Sequence, residues 1–142
     1  MRNDGLALLD VNALVALAWD SHVHHARIRQ WFVTHSVAGW ATCPLTESGF
    51  VRVSANPRIL PSAIGIGDAR RVLAALRGLR GHRFLSDDVS PSDPDFPVIS
   101  GYRQVSDAHL LVLARRRGVP LLTFDVGLAT LGGADVELLS VL

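Results

Sequence analysis

The sequence predicts an α/β fold in which a mostly parallel sheet of about five strands is flanked by helices. Short apolar runs of strand length alternate with longer helical patterns along the chain. Several helical patterns are followed by residues that typically end helices, at Asn56-Pro57, Gly81 and Gly118. The chain of 142 residues has no internal repeat and is long enough for a sizeable core, so we expect one domain over residues 1–142.

Five runs rich in apolar side chains are predicted to be strands, because they are short and are bounded by turn-forming residues. They span residues 6–9, 39–42, 83–85, 120–123 and 137–139.

Six segments are predicted to be helices from the spacing of their apolar residues. They span residues 12–18, 22–35, 44–54, 66–79, 102–117 and 126–131. Because helices separate successive strands, neighbouring strands are expected to run parallel, with helices on both faces of the sheet. Residues 86–101, which include three prolines, are predicted to be irregular, and their acids Asp87, Asp88, Asp93 and Asp95 are expected to be solvated.

Composition excludes several classes of protein. No apolar run approaches the ~20 residues of a membrane-spanning helix, and residues 1–5 do not resemble a signal peptide. The single cysteine, Cys43, excludes an internal disulfide and a zinc site made of several cysteines. All fourteen basic residues are arginine, which excludes the lysine of a P-loop and the amine of a Schiff-base enzyme.

Four acidic residues indicate a functional site. Each lies where an apolar stretch meets the start of a predicted helix, and they are Asp10, Glu47, Asp107 and Asp125. One such acid could interact with a helix dipole, but four carboxylates on the apolar side of their helices are costly without a cation. Ligands of parallel α/β sheets bind beyond the carboxyl ends of the strands, so the four side chains are expected to converge there.

The side chains at this site favour a hard divalent cation. Carboxylate oxygens without thiolates or clustered imidazoles are typical of Mg²⁺ or Mn²⁺ sites. Such a cation relieves the repulsion between carboxylates and can activate water for attack on a phosphate. This chemistry is typical of a metal-dependent nuclease.

The motifs around these acids resemble those of PIN-domain ribonucleases, most closely the VapC toxins of bacterial type II toxin–antitoxin systems. The similar stretches are residues 9–14, 46–50, 106–110 and 122–125. The resemblance implies a PIN-like three-layer sandwich and an Mg²⁺-dependent endoribonuclease in the bacterial cytoplasm. It also implies a cognate antitoxin and a homodimer.

The same resemblance assigns roles to individual residues. Asp10 and Asp107 match direct metal ligands, and Glu47 and Asp125 match ligands that act directly or through water. Two further residues, Asn12 and Thr123, match positions that orient the acids. Arg52 and Arg58 follow Glu47 on the same segment, so they are candidates for contacting RNA or the antitoxin.

Two other functions fit parts of the pattern. A phosphatase of the haloacid-dehalogenase type also uses Mg²⁺ and an aspartate at a strand end, but it needs a second acid where this chain has Asn12. A non-catalytic interaction domain with a PIN fold is the other alternative. A cluster at His22, His24 and His25 could bind a metal, but a structural role at the start of a helix is favoured. The run Arg115 to Arg117 is predicted to complement a helix dipole rather than bind phosphate.

Overall fold

A computed structural model describes residues 5–140 and shows one five-stranded sheet. The strand order is β3-β2-β1-β4-β5, and all four neighbouring pairs are parallel, which confirms the predicted sheet. The strands are β1 (Ala7–Leu9), β2 (Trp40–Thr42), β3 (His82–Phe84), β4 (Leu121–Thr123) and β5 (Val136–Leu138). The prediction that residues 1–5 are not a signal peptide falls largely outside the described residues. The predicted domain, residues 1–142, also extends beyond them at both ends.

Six α-helices connect or follow the strands within the described residues. They are α1 (Val11–Ala18), α2 (His25–His35), α3 (Pro44–Ser54), α4 (Ile66–Arg77), α5 (Val105–Arg117) and α6 (Val126–Gly132). Short 3-10 helices precede α5 at Tyr102–Gln104 and follow α6 at Gly133–Asp135. Between residues 5 and 140, no helix is long and apolar enough to cross a membrane.

Alternating side chains of the strands build a core on each face of the sheet. Leu9 and Trp40 lie in one apolar cluster with residues of α1, α2, α3 and α4. Leu8 and Ala41, their neighbours along the same strands, lie in a second cluster with residues of α5 and α6. A sheet buried on both faces makes three layers, as predicted.

The predicted helix and strand ends differ from the observed ones by a few residues. Helix α2 begins at His25 rather than at His22, because the His22 Nδ1 atom accepts a hydrogen bond from the backbone N–H of His24 and holds a turn there. Helix α5 ends as predicted, with Gly118 in the left-handed conformation at a φ of 67°. Strand β3 ends at Phe84, although the backbone N–H of Leu85 still donates to β2.

The irregular segment after β3 is attached to α5 by polar contacts. The Nε2 atom of His109 lies 2.7 Å from the Oδ2 atom of Asp87, and the Asp87 side chain is only 11% exposed. The prediction that Asp87 is solvated is therefore wrong, because His109 reaches it from the neighbouring helix. Arg116 forms ion pairs with both Asp93 and Asp95, and Arg117 donates a hydrogen bond to the carbonyl oxygen of Ser86. The arginines at the end of α5 therefore bind this segment, in addition to lying near the helix terminus.

Candidate metal centre

The centre of the sheet positions the first part of the site. The chain leaves β1 toward β2 but leaves β4 toward β5, so the carboxyl ends of β1 and β4 lie side by side where the connections diverge. Open α/β sheets bind their ligands at such a point. Asp10 directly follows β1, and Thr123 is the last residue of β4. Asp125 lies two residues after Thr123, directly before the first residue of α6.

Asp10 is buried, and both its carboxylate oxygens are held. Oδ1 accepts a hydrogen bond of 2.8 Å from the backbone N–H of Ala13, which caps α1. Oδ2 accepts a bond of 2.5 Å from the hydroxyl of Thr123. Burial raises the pKa of Asp10 to about 6, the negative charges of Asp107 and Asp125 add to this rise, and the two hydrogen bonds oppose it.

Asp107 and Asp125 complete a group of three mutually repelling acids with Asp10. Asp107 is the third residue of α5, and its pKa is raised by burial and by the charge of Asp125. Asp125 caps α6 by accepting hydrogen bonds from the backbone N–H groups of Gly127 and Leu128. Both aspartates line a cavity of about 200 Å³.

The predicted burial of the four acids is confirmed for two of them. Asp10 and Glu47 are buried, at 5% and 9% exposure. For Asp125 the expectation is wrong, because its role as the cap of α6 holds the carboxylate at the rim of the sheet, where it is exposed. Asp107 is intermediate between these cases.

Glu47 lies in a different polar environment from the three aspartates. Its Oε2 atom accepts a hydrogen bond of 2.6 Å from the Thr42 hydroxyl, and its Oε1 atom pairs with Arg77 at 3.2 Å. Because Thr42 donates its only hydroxyl proton to Glu47, it can accept from the His82 Nε2 atom, which lies 2.8 Å away. Burial and the charges of neighbouring aspartates raise the pKa values of Asp10 and Asp107, and Glu47 is not among the causes of either shift.

A wide groove separates α3 from α4 on the Glu47 side. Its volume is about 800 Å³, and its lining includes Glu47, Val51, Arg52, Arg70 and Leu73. Arg52 therefore shares a surface with Glu47. Arg58 is exposed and is not one of the residues that line this groove.

The donor chemistry of the aspartates fits Mg²⁺ or Mn²⁺, since all their side-chain donors are hard oxygens. Their mutual repulsion is the electrostatic condition that a bound cation relieves. Within residues 5–140, no three side chains of the types His, Cys, Asp or Glu already stand close enough to form a complete ligand group. The charges of the three aspartates act on one another, but their side chains do not form a ready-made set of metal ligands in this structure.

Two supporting positions behave differently in the structure. The Thr123 hydroxyl donates to Asp10 and also accepts from the backbone N–H of Asp125, at 3.0 Å, so it links two acids. Asn12 is exposed and lines a cavity together with Asp125.

Two arginines near the acids were not singled out from the sequence. Arg77 ends α4 and pairs with Glu47 across 30 residues of chain, a contact that no local spacing indicates. Arg103 lines the cavity of Asp107 and Asp125. It precedes Asp107 by four residues, so the helical spacing could have indicated that both face the same side.

The three histidines at the start of α2, His22, His24 and His25, make separate contacts. The Nδ1 atom of His25 lies 2.8 Å from the carbonyl oxygen of Ala16, which ties α2 to α1. His24 stacks on Phe124, with ring centroids 4.2 Å apart. These contacts support the structural interpretation of the cluster over metal binding.

Comparison with known proteins identifies the family of the chain. A family model described as "PIN domain" matches residues 7–134. Ribonuclease VapC38 of Mycobacterium tuberculosis (strain ATCC 25618 / H37Rv) is 70% identical over 141 residues, which cover 96% of this chain and 100% of that protein. Ribonuclease VapC39 of the same strain is 46% identical over 133 residues, covering 92% and 96%. Ribonuclease VapC44 of strain CDC 1551 / Oshkosh is 40% identical over 141 residues, covering 96% and 99%.

Proposed function

The chain belongs to the VapC ribonucleases of the PIN-domain family, and we propose that it is an Mg²⁺-dependent endoribonuclease acting as the toxin of a toxin–antitoxin pair. The observation that best supports this proposal is the group of three aspartates at the adjoining ends of β1 and β4, where burial and mutual repulsion raise the pKa values of Asp10 and Asp107. Such a group is unfavourable alone and favourable around a divalent cation.

In this proposal Asp10 and Asp107 hold the cation directly, and Glu47 and Asp125 hold it directly or through water. When bound, the cation activates water and stabilises the charge that develops on a phosphodiester group. Thr123 is a positioning residue, because its hydroxyl fixes the Asp10 carboxylate and the backbone of Asp125.

Arginines at the edges of the site would hold the RNA backbone. Arg103 shares a cavity wall with Asp107 and Asp125, and its guanidinium can pair with a phosphate next to the reacting one. Arg52 and Arg58 are further candidates for contacting RNA. The groove that Arg52 shares with Glu47 supports this role for Arg52.

The partners proposed for the chain are an RNA substrate, a cognate antitoxin and a second copy of the chain, all in the bacterial cytoplasm. The groove between α3 and α4 suits an antitoxin segment, since apolar side chains such as Val51 and Leu73 line it next to the charge of Glu47. A segment bound there would cover Glu47 and Arg52 together and so block the approach of RNA.

Cleavage of total bacterial RNA by the purified chain tests this function. We expect fragmentation with Mg²⁺, no fragmentation with EDTA, and restoration when excess Mg²⁺ or Mn²⁺ is returned. Co-purified product of the adjacent gene should suppress the cleavage. Hydrolysis of p-nitrophenyl phosphate without RNA cleavage would instead support the phosphatase alternative, and metal binding without either reaction would support a non-catalytic domain.

The contribution of Arg52 can be measured from the salt dependence of RNA binding. If Arg52 contacts one phosphate, Arg52→Ala should weaken binding and reduce the slope of log affinity against log salt by about one unit. The same measurement on Arg58→Ala tests the second candidate. Arg29→Ala is the control, because Arg29 is an exposed arginine of α2 and lines a different cavity. An unchanged slope in both Arg52→Ala and Arg58→Ala would remove these residues from the RNA path.

A further inference from the structure

A second cavity also has Asp125 among its lining residues. It has a volume of about 370 Å³, within the range of ligand pockets. The turn before α2, the start of α1 and the end of β4 surround it, and its lining residues are Asn12, His22, Val23, His24, Phe124 and Asp125. Asp125 is thus a wall common to this cavity and to the one that contains Asp107 and Arg103.

The two cavities differ in the chemistry of their walls. Arg103 lines the cavity on the Asp107 side, so a phosphate is favoured there. None of the residues that line the second cavity is an arginine, and Asp125 repels an anion from it. Burial and the neighbouring His24 and His25 lower the pKa of His22, which disfavours the positively charged form of its ring. The second cavity therefore does not favour a phosphate, and an uncharged part of a substrate can be placed there.

The wall of this cavity offers a flat aromatic surface. The rings of His24 and Phe124 are stacked, with centroids 4.2 Å apart and planes 10° from parallel. The His22 ring lies beside them, 5.6 Å from the ring of His24. Stacked aromatic side chains bind nucleobases of any identity, because every base has a π-face.

Unused hydrogen-bonding groups lie next to this surface. Among residues 5–140, the Nδ1 atom of His24 is the one buried side-chain polar atom without a hydrogen-bond partner. Buried polar atoms are rarely left unpaired, and a base could pair with this nitrogen only if the His24 ring turned. His22 accepts a hydrogen bond at Nδ1, so its ring proton lies on Nε2 and is available as a donor. The exposed amide of Asn12 supplies both a donor and an acceptor.

We propose that this cavity is a nucleobase-binding subsite, in which a base next to the scissile phosphate stacks against the His24–Phe124 pair and hydrogen-bonds to His22 or Asn12. The proposal rests on the proposed ribonuclease function. It adds to that function a site for one base of the RNA substrate. The acids and Arg103 would hold the sugar–phosphate backbone, and the second cavity would hold the base. Single-stranded RNA is the form that fits, since its bases can turn away from their neighbours.

Binding of two matched probes tests the subsite. Both are nuclease-resistant 2′-O-methyl strands of about eight nucleotides, one with mixed bases and one with abasic units throughout. We expect wild-type protein to bind the base-bearing strand about tenfold or more tightly than the abasic strand, as measured by fluorescence polarisation. In His24→Ala, affinity for the base-bearing strand should fall about fivefold or more while affinity for the abasic strand changes less than about twofold.

His35→Ala is the matched control for His24→Ala. His35 also stacks on an aromatic ring, that of Trp31, at a centroid distance of 4.9 Å, but it lies in the last turn of α2 and outside the cavity. It should leave the binding of both strands unchanged. If His24→Ala fails to fold, His22→Ala serves as a second variant. The ratio of the wild-type affinities for the base-bearing and abasic strands tests the subsite without any variant.

The outcomes separate the subsite from the nuclease itself. RNA cleavage together with equal affinity for the two strands would overturn the subsite and leave the proposed function standing. Base-dependent binding that His24→Ala removes, in a protein that cleaves no RNA, would support the subsite and count against the nuclease. A parallel loss of affinity for both strands in His24→Ala would show that His24 acts only through the fold, which also overturns the subsite.

Discussion

Asp107→Asn is expected to reduce the rate of RNA cleavage by about 10³-fold or more while leaving the fold intact. The substitution keeps the shape of the side chain and removes the charge that a divalent cation requires. Asp107 is only partly buried, so an amide of the same size should be tolerated there. Initial rates on RNA at saturating Mg²⁺, together with a circular dichroism spectrum, measure both halves of this prediction. In cells without the antitoxin, the variant should also be non-toxic.

Asp68→Asn is the matched control for this substitution. Asp68 is the third residue of α4, as Asp107 is the third residue of α5, but its side chain is exposed and pairs with Arg71. The control should cleave RNA at the wild-type rate. Full Mg²⁺-dependent activity in Asp107→Asn would exclude Asp107 as a ligand of the metal.

The metal-free protein is expected to lose stability as the pH rises through the range in which Asp10 ionises. Folding raises the pKa of Asp10 from its ordinary value of 3.8 to about 6, so the folded state binds the proton more tightly than the unfolded state. Stability from this group is therefore present below about pH 4 and is lost as the pH rises to about 6 or 7. The difference in pKa corresponds to about 3 kcal/mol of unfolding free energy.

Comparison with Asp10→Asn isolates this effect from other titrating groups. In urea unfolding with EDTA, the unfolding free energy of wild type relative to Asp10→Asn should decrease by about 2 kcal/mol between pH 4 and pH 7. The same comparison with Asp68→Asn should give no such trend, because Asp68 is exposed. Adding Mg²⁺ at pH 7 should stabilise wild type more than Asp10→Asn. A pH-independent difference would show that the Asp10 carboxylate is not destabilised by burial in the folded protein.

The order of the strands and helices could be predicted because it depends on local patterns. The runs around β1, β2 and β4 are apolar on both faces of the sheet, and turn residues such as Gly118 separate the elements. Asp10 could be assigned to the site for the same reason, since a polar residue directly after a buried strand marks the edge of the sheet. Helix ends were less predictable, because side-chain hydrogen bonds such as that of His22 decide them.

Contacts between distant side chains could not be predicted from the sequence. Nothing local indicates that Arg77 pairs with Glu47, or that His109 reaches Asp87, since those pairs are 30 and 22 residues apart. The exposure of Asp125 was also unforeseen. A residue directly after β4 could face the core or cap the next helix. The path of the chain into α6 makes Asp125 a helix cap, and the sequence does not show that path.

The path of the chain through the sheet also affects how the protein behaves during synthesis. Strand β1 is paired with β2 and β4, and the hydrogen bond between Asp10 and Thr123 spans 113 residues. A nascent chain that has not yet reached residue 121 has no β4 and lacks both Thr123 and Asp125. At about 5–20 residues per second, roughly ten seconds separate the synthesis of Asp10 from that of Asp125. A product that ends before Asp125 therefore cannot assemble the three aspartates, and the proposed metal site can form only after Asp125 has been synthesised.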